Sequence, residues 1–229
     1  MNKAILSDCM DYMQGIQDGA FDLAVVDPPY GDAGFGEYAG DSGTRFGGWF
    51  RRYRVDRGGF RGGKKFIDWD IAPGQAYFDE LFRVSKNAII WGGNHFHLPP
   101  CRCYLVWSKS DVSDKMSFGM CEYAWTNFNQ VPKVFTRQTG GQHNRFHPTQ
   151  KPVELYSWIY HHFAKPGMSI LDTHLGSGSS RIAAYDAGLE FVGIENNEHY
   201  FVKQEERFSN HIMQGRLFAP DYEQTEILK

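Results

Sequence analysis

The stretch Ser169-Ile-Leu-Asp-Thr-His-Leu-Gly-Ser-Gly-Ser-Ser180 decides the fold of this chain. Its first residues are apolar and predict a buried strand at 169–171, and the small residues that follow predict a turn that leads into a helix at 180–187. Glycines in such a turn let a ligand approach the backbone closely, and the first turn of the helix offers free N–H groups. The stretch therefore predicts a ligand-binding strand–turn–helix unit.

The next apolar strand, at 191–194, ends in an acid that suits a nucleoside. Glu195 follows the glycines by about twenty residues, where a carboxylate can accept hydrogen bonds from ribose hydroxyls. A purely structural turn and an NAD site are the alternatives. Only about thirty residues follow Glu195 and the third glycine of the dinucleotide motif is missing, so a nucleoside-binding βαβ unit is the favoured interpretation.

Apolar runs and helical periodicity alternate along the rest of the chain. We predict buried strands at 23–26, 88–91, 104–107, 123–126, 169–171 and 191–194. We predict helices at 76–84, 153–163, 180–187 and 200–208. This alternation predicts an α/β fold with a doubly wound, mostly parallel sheet.

Size and composition are those of one globular domain spanning 1–229. Hydrophobic residues make up 41% of the 229 residues, and no apolar run approaches the ~18 residues that a membrane-spanning helix needs. The N-terminus lacks the pattern of a secretory signal. We therefore expect a soluble, cytoplasmic protein with no membrane partner, whose four cysteines are thiols.

The net charge of −3 conceals a strongly basic segment. Residues 31–66 are rich in Gly, Arg and aromatics and show neither helical nor strand periodicity, so they predict a flexible insertion. Basic side chains interleaved with aromatics suit phosphate neutralisation and base stacking, which predicts a DNA-binding loop, although a solvated loop is the alternative. The predicted DNA-binding residues are Arg45, Arg51, Arg52, Arg54, Arg57, Arg61, Lys64 and Lys65.

The sequence Asp27-Pro-Pro-Tyr30 directly follows the predicted strand at 23–26. The two prolines hold the turn rigid, and the turn falls at the edge of the sheet where α/β folds bind ligands. Asp27 and the Pro28 carbonyl can accept hydrogens from a conjugated amine, which is a poor nucleophile without such help. Tyr30 can stack on a base that is swung out of a nucleic-acid helix. A plain turn is the alternative.

With these motifs the chain resembles the DNA amino-methyltransferases that modify adenine N6 or cytosine N4. It resembles their permuted beta arrangement, in which the Asp-Pro-Pro-Tyr motif precedes the cofactor motif. The matching segments are Ser7-Asp-Cys9, Asp27-Pro-Pro-Tyr30, His147-Pro-Thr-Gln-Lys-Pro152 and residues 172–179. The resemblance implies a Rossmann-like methyltransferase fold, S-adenosylmethionine as cofactor and double-stranded DNA as partner, with no metal.

The resemblance also assigns site residues. The catalytic set is Asp27, Pro28, Pro29 and Tyr30. The cofactor-binding set is Asp8, Cys9, Asp27, His147, Thr149, Lys151, Asp172, Thr173, His174, Gly176, Ser177, Gly178, Ser179, Glu195 and Asn196. The family more often has Pro-Phe at the position of Thr173-His174, where a buried neutral imidazole would replace the phenyl ring.

The residue type at position 27 predicts which amino group the enzyme methylates. Asp27 favours adenine N6, because the family's cytosine enzymes more often carry Ser and its protein-modifying relatives Asn at this place. Cytosine N4 in DNA, adenine in RNA, a protein glutamine and a catalytically silent nucleic-acid-binding relative are the alternatives. The segment 130–146, where target recognition is expected, is short and does not reveal a recognition sequence, so a site-specific and a weakly specific DNA methyltransferase are both compatible with the sequence.

Other clusters support weaker hypotheses. His95, His97, Cys101 and Cys103 are dense enough for zinc, but Cys-x-Cys and His-x-His pairs point alternate ways on strands. Cys101 after a proline invites comparison with the nucleophile of cytosine ring methylation, a step that amine methylation does not need. The segment 91–94 predicts either a pocket wall or a tight turn. A homodimer is a further open expectation.

Overall fold

The computed structural model describes residues 1–30, 71–113, 119–139 and 145–218. Its strands are β1 (Asn2–Leu6), β2 (Leu23–Val26), β3 (Ala88–Trp91), β4 (Tyr104–Ser108), β5 (Cys121–Thr126), β6 (Lys133–Thr136), β7 (Ser169–Asp172) and β8 (Glu190–Glu195). Its helices are α1 (Cys9–Gln14), α2 (Gln75–Val84), α3 (Val153–Phe163), α4 (Ser179–Asp186) and α5 (Glu198–Phe218). A short 3-10 turn spans Gly93–His95.

The eight strands form one sheet in the order β1-β8-β7-β2-β3-β5-β4-β6. The pairs from β1 to β3 are parallel, while β5 runs antiparallel to both β3 and β4. The edge strand β6 is parallel to β4. This mixed, mostly parallel α/β sheet confirms the predicted fold class.

Helices cover both faces of the sheet. The helix α2 buries Tyr77, Phe78, Leu81 and Val84 in one core, together with α1. The helices α3 and α4 pack in the core on the opposite face. The central strands β2 and β3 are buried at every residue, because both of their faces are covered in this way.

The chain reverses its direction of progress across the sheet between β2 and β7. From β2 it proceeds through α2 to β3 on one side, and from β7 it proceeds through α4 to β8 on the other. Ligands of open α/β sheets bind in the crevice outside the carboxyl ends of the strands at such a switch point. The motifs that follow β2 and β7 are therefore brought to one crevice.

The structure adds elements that the sequence did not predict. The strands β1 and β6 lie at the two edges of the sheet and are only half buried, so their apolar runs are too weak to stand out. The helix α1 is short, and its start is fixed by Asp8, whose carboxylate accepts the N–H groups of Met10 and Asp11. The helix α5 extends well beyond its predicted bounds.

Two predictions, the basic insertion and its DNA-binding residues, lie wholly outside the described residues, and the predicted recognition segment lies partly outside them. The predicted insertion at 31–66 and all eight of its basic residues lie there. Of the predicted recognition segment at 130–146, the part at 133–136 forms β6, and residues 140–144 lie outside the described part. Within the described residues, no helix is both long enough and apolar enough to cross a membrane.

The central sheet provides a test of the core. Ile89 of β3 is fully buried, and Ile89→Ala should lower the free energy of unfolding by about 2–5 kcal/mol, because it leaves a cavity between two packed layers. Val134→Ala on the edge strand β6 is the control, since Val134 is 62% exposed and should change stability by less than about 0.5 kcal/mol. Urea denaturation compares the two, and equal losses would contradict the described sheet order.

Candidate active site

Asp27 lies directly after β2, at the carboxyl end of the strand. Its Oδ1 accepts a hydrogen bond from the Tyr30 hydroxyl at 2.8 Å, and its Oδ2 accepts one from the Lys151 ammonium. The Asp27 side chain is 14% exposed. Both carboxylate oxygens are thus held in place by donors, and each retains capacity for a further hydrogen bond.

Lys151 belongs to the segment that leads into α3. Its side chain is only 4% exposed, and its ammonium lies between Asp27 and Glu122, with 3.2 Å from Nζ to Glu122 Oε2. The ammonium also lies 5.4 Å from the centre of the Trp91 ring. Resemblance assigns Lys151 to the cofactor pocket, and the structure places its charge on the predicted catalytic acid.

Burial and pairing set the charges of this group. Burial raises the pKa of Asp27, and the Lys151 ammonium acts in the opposite direction. Burial alone would lower the pKa of Lys151, but the carboxylates of Asp27 and Glu122 outweigh it and hold the pKa above its ordinary value. Burial would raise the pKa of Glu122, but Lys151 and Lys109 hold it at about 2. Lys151 therefore stays charged between two carboxyl groups.

Tyr30 is held by a close backbone contact. A Cβ atom on Gly92 would lie 2.0 Å from Tyr30 Cε1, so the ring fills the space that a side chain would take. Gly92 also has a φ of 68°, a conformation that favours glycine. The Tyr30 ring stacks on His95, with ring centres 4.8 Å apart and planes 12° from parallel. The segment 91–94 is thus both a tight turn and a wall beside Tyr30.

The glycine turn after β7 is tied together by Asp172. This buried carboxylate accepts hydrogen bonds from the Ser180 hydroxyl and from the His174 backbone N–H. Burial raises the pKa of Asp172 to about 7, against the effect of these hydrogen bonds. Gly176 and Gly178 have φ values of 51° and 71°, and α4 begins immediately after them. The turn thus takes the strand-to-helix form that the sequence predicts.

Glu195 and Asp8 lie at the ends of two neighbouring strands, at the same edge of the sheet. Glu195 ends β8 opposite Leu6 of β1, and Asp8 follows β1 by two residues. The Glu195 carboxylate accepts the backbone N–H groups of Gly176 and Asn197, both at 2.8 Å. These bonds fix the carboxylate beside the glycine turn and leave part of its acceptor capacity for ligand hydroxyls.

Thr173 and His174 form a hydrogen-bonded chain with Tyr77 of α2. The Thr173 hydroxyl lies 2.6 Å from the Tyr77 hydroxyl and 2.9 Å from His174 Nδ1. Burial lowers the pKa of His174 to about 4. The imidazole is therefore neutral at neutral pH.

The segment 147–151 covers the glycine turn. A Cβ on Gly176 would lie 3.3 Å from His147 Nε2, and His147 packs edge-on against Tyr200 of α5. The Thr149 hydroxyl lies 3.2 Å from His147 Nδ1. The carboxylate of Glu195 beside this glycine turn fits the hydroxyl-bearing ribose of S-adenosylmethionine, and His147 lies directly against the backbone of the turn.

The remaining predicted cofactor residues surround this turn or lie beside it. The Ser179 hydroxyl donates to the Lys151 carbonyl at 2.7 Å and lies 3.2 Å from the Ser177 hydroxyl. Asn196 follows Glu195 and is exposed. Burial raises the pKa of the Cys9 thiol to about 11, so it stays protonated. The structure thus brings the predicted catalytic and cofactor-binding residues, all of which are described, to one edge of the sheet, while the predicted DNA-binding residues lie outside the described part.

The cysteines considered for a zinc site or for a nucleophile make other contacts in the structure. Cys101 Sγ lies 3.4 Å from the Tyr123 hydroxyl, and the Cys103 thiol donates to the Val131 carbonyl at 3.5 Å. Within the described residues, no three His, Cys, Asp or Glu side chains form a group that could hold a metal ion. All four cysteines are free thiols.

Sequence reasoning missed three contributors to the site. Glu122, Lys109 and His95 reach it through sheet pairing and through the turn after β3. Their positions depend on which strands are neighbours, and no spacing along the chain reveals that.

Comparison with known proteins shows the family to which this chain belongs. The family model for N6/N4 methyltransferases, described as DNA methylase, matches residues 90–206, just over half of the chain. The chain belongs to this family. Its members depend on S-adenosylmethionine, so the predicted family and cofactor are confirmed.

Individual relatives agree in length and fold. YubD of Escherichia coli (strain K12), whose name describes a methylase, is 27% identical over 234 residues that cover 91% of each chain. M1.HpyAVI, solved with S-adenosylmethionine, has a TM-score of 0.56 at 17% identity and covers 90% of this chain and 98% of its own. The cytosine-N4-specific PvuII DNA methyltransferase has a TM-score of 0.54 at 11% identity and covers 93% and 92%. The last two likenesses show the fold.

The contact between Gly92 and Tyr30 gives a prediction. Gly92→Ala should lower the free energy of unfolding by about 1–3 kcal/mol, because it strains the backbone and collides with the Tyr30 ring. Gly15→Ala is the control, since Gly15 has a φ of −84° and its Cβ would make only an ordinary contact at 3.6 Å. Equal stability of the two variants in urea would show that Tyr30 does not rest on Gly92.

Proposed function

We propose that this methyltransferase transfers a methyl group from S-adenosylmethionine to N6 of adenine in double-stranded DNA, by direct transfer onto a flipped base. The observation that carries the proposal is the placement of Asp27. It directly follows the strand next to β7 at the switch point, and Tyr30 and Lys151 hold its carboxylate at the edge of the sheet that also carries the glycine turn. The donor and acceptor of a methyl group would meet there.

The chemistry requires a hydrogen-bond acceptor at the reacting amine. The lone pair of an adenine amino group is delocalised into the ring, so the nitrogen becomes nucleophilic only as it turns tetrahedral. Asp27 and the Pro28 carbonyl would accept its two hydrogens and favour that geometry. Tyr30 would stack on the flipped base while its hydroxyl holds Asp27.

The cofactor residues would orient the methyl donor. When bound, S-adenosylmethionine supplies an electrophilic methyl group on a sulfonium. Glu195 would accept the ribose hydroxyls, Asp8 the adenine amino group, and the turn from Asp172 to Ser179 would surround the methionine part. His147, Thr149 and Lys151 would close the pocket, and His174 would provide a neutral ring at the family's aromatic position. The protein's contribution is chiefly orientation.

Adenine is favoured over cytosine by the acid of the motif. An aspartate at the position of Asp27 favours adenine as the target, because the cytosine enzymes of the family more often carry Ser there. A structural neighbour is named as cytosine-N4-specific, so N4-cytosine methylation in DNA is the second candidate. Incubating DNA with the protein and labelled S-adenosylmethionine, then separating the nucleosides by mass spectrometry, distinguishes the two. Labelled N4-methylcytosine without N6-methyladenine would overturn the adenine assignment.

The DNA contacts are proposed from sequence. The basic residues between 45 and 65 would neutralise phosphates on both sides of the flipped base, shortly after the catalytic turn. A homodimer and a cytoplasmic location remain predictions.

The proposed catalytic role of Asp27 can be tested by replacing it and, as a control, by replacing a second aspartate, Asp22. Asp27→Asn should lower the single-turnover methyl-transfer rate by ~100-fold or more, because the amide loses the charge that is needed in the transition state. Asp22→Asn is the control: Asp22 precedes the same strand at its opposite end and also pairs with a lysine, Lys86. An unchanged rate in Asp27→Asn would remove Asp27 from the catalytic set.

Glu195 provides the test of the cofactor site. Glu195→Ala should weaken binding of S-adenosylmethionine by about 1–3 kcal/mol, through the loss of charge-assisted hydrogen bonds to the ribose. Isothermal titration calorimetry measures the effect, with the exposed Glu190→Ala at the start of β8 as control. Equal dissociation constants for the two variants would place the ribose elsewhere.

A further inference from the structure

Four charged side chains of alternating sign form a row that begins at Asp27. The Lys151 ammonium contacts Asp27 and lies 3.2 Å from Glu122 Oε2, and the Lys109 ammonium lies 2.8 Å from Glu122 Oε1. We call Asp27, Lys151, Glu122 and Lys109 the charge row. The members come from the ends of β2 and β4, from β5 and from the segment before α3.

The charge row is shielded from water. The side chains of Lys151, Lys109 and Glu122 are 4%, 14% and 28% exposed, and the two lysines lie over the rings of Trp91 and Trp107. Charges in such surroundings interact more strongly than at an open surface. A change of one charge in the row therefore changes the electrostatic energy of the neighbouring charged groups.

Lys151 is shared between two carboxylates, and this sharing has a consequence for Asp27. An ammonium paired with Asp27 alone would stabilise its ionised form fully and make it a weak acceptor of protons. Glu122 holds the same ammonium from the other side and offsets part of its charge. Lys109 in turn offsets part of the charge of Glu122.

We propose that Glu122 is a positioning residue for methyl transfer, which holds Lys151 between two carboxylates and thereby keeps Asp27 basic toward the substrate amino group. The proposal rests on the proposed function. In the reaction the N–C bond to the methyl group forms, the S–C bond of the sulfonium breaks, and one proton leaves the methylated nitrogen. Asp27 is the acceptor of that proton, so its basicity bears on the rate.

Other titratable groups also face Asp27. Tyr30 donates to it, and Tyr77 of α2, Tyr156 of α3 and Asp172 of β7 lie close enough to interact with it. Burial raises the pKa of all three tyrosines well above 10, so they stay neutral across the measured range. Asp172 lies outside the charge row, and none of the variants replaces its hydrogen-bond partners Ser180 and His174, so the comparison between variants reports on the charge row.

The test is the pH dependence of the single-turnover methyl-transfer rate on DNA. If Asp27 must be ionised, the rate rises with pH through the pKa of Asp27, which gives the profile an acid limb, and reaches a constant plateau at higher pH. Glu122→Gln removes a negative charge, so it should move this acid limb to lower pH by about one unit and lower the plateau rate by roughly 10-fold. Lys109→Gln leaves the charge of Glu122 less compensated, so it should move the limb to higher pH.

Controls separate this role from a structural one. Glu80→Gln removes a carboxylate of similar exposure that pairs with Arg83 in α2, and it should leave the limb in place. Glu122→Asp keeps the charge and should restore the position of the limb. A loss of rate in Glu122→Gln without an acid shift, or shifts of the same sign in Glu122→Gln and Lys109→Gln, would overturn the proposal.

The design also keeps the two hypotheses apart. If the wild-type protein transfers no labelled methyl group to DNA, the proposed function fails. If the wild type is active and the charge-row variants behave like Glu80→Gln, only the role of Glu122 fails. Should Glu122→Gln not fold, the shift in Lys109→Gln decides, because a limb that stays in place or moves to lower pH contradicts the proposal.

Discussion

The ion pair between Asp27 and Lys151 is the interaction on which the site depends. Moving two charges out of water costs several kcal/mol each, and only close pairing and further hydrogen bonds offset that cost. The pair joins residues 124 positions apart in the chain and ties the end of β2 to the entry of α3. It therefore fixes the position of the proposed catalytic motif relative to the segment that covers the glycine turn.

The switch point between β2 and β7 explains why these motifs meet at all. Helices on opposite faces follow the two strands, so the loops at their carboxyl ends diverge and leave a crevice. Asp27 lies on one side of the crevice and the turn after Asp172 on the other. A permuted order of motifs along the chain changes nothing here, because the sheet order determines which motifs are neighbours.

How far the sequence predicted the structure depended on burial. The strands β2 and β3 are buried on both faces and appear as continuous apolar runs, so they were predicted with their observed bounds. The edge strands β1 and β6 are half exposed and were missed. Asp27, Tyr30, Glu195 and the glycine turn were predicted from residue chemistry, and Asp8 and the segment 147–151 from resemblance. Glu122 could not be predicted, because it reaches Lys151 only through the pairing of β5 with β3 and β4.

The site is rigid where the chemistry is proposed to occur. Two prolines restrict the backbone after Asp27, Gly92 supports the Tyr30 ring, and the Tyr30 hydroxyl returns to Asp27. An acceptor that is already in place need not reorganise as the amine becomes tetrahedral, and such preorganisation is the main source of electrostatic catalysis. The residues that hold Asp27 are thus as much a part of the proposed mechanism as the acid itself.

This arrangement also separates two tasks that a base-modifying enzyme must perform. In the proposed reaction the charge row would act on an exocyclic amine and be indifferent to the ring that carries it, since adenine N6 and cytosine N4 are both conjugated amines. Discrimination between a purine and a pyrimidine must then come from the walls around the ring. In the described part of the chain those walls would include Tyr30, which is in aromatic contact with both His95 and Phe96. His95 covers one face of Tyr30 at a ring separation too small to admit a base between them, so a flipped base that stacks on Tyr30 as proposed would either use the opposite face or displace the imidazole.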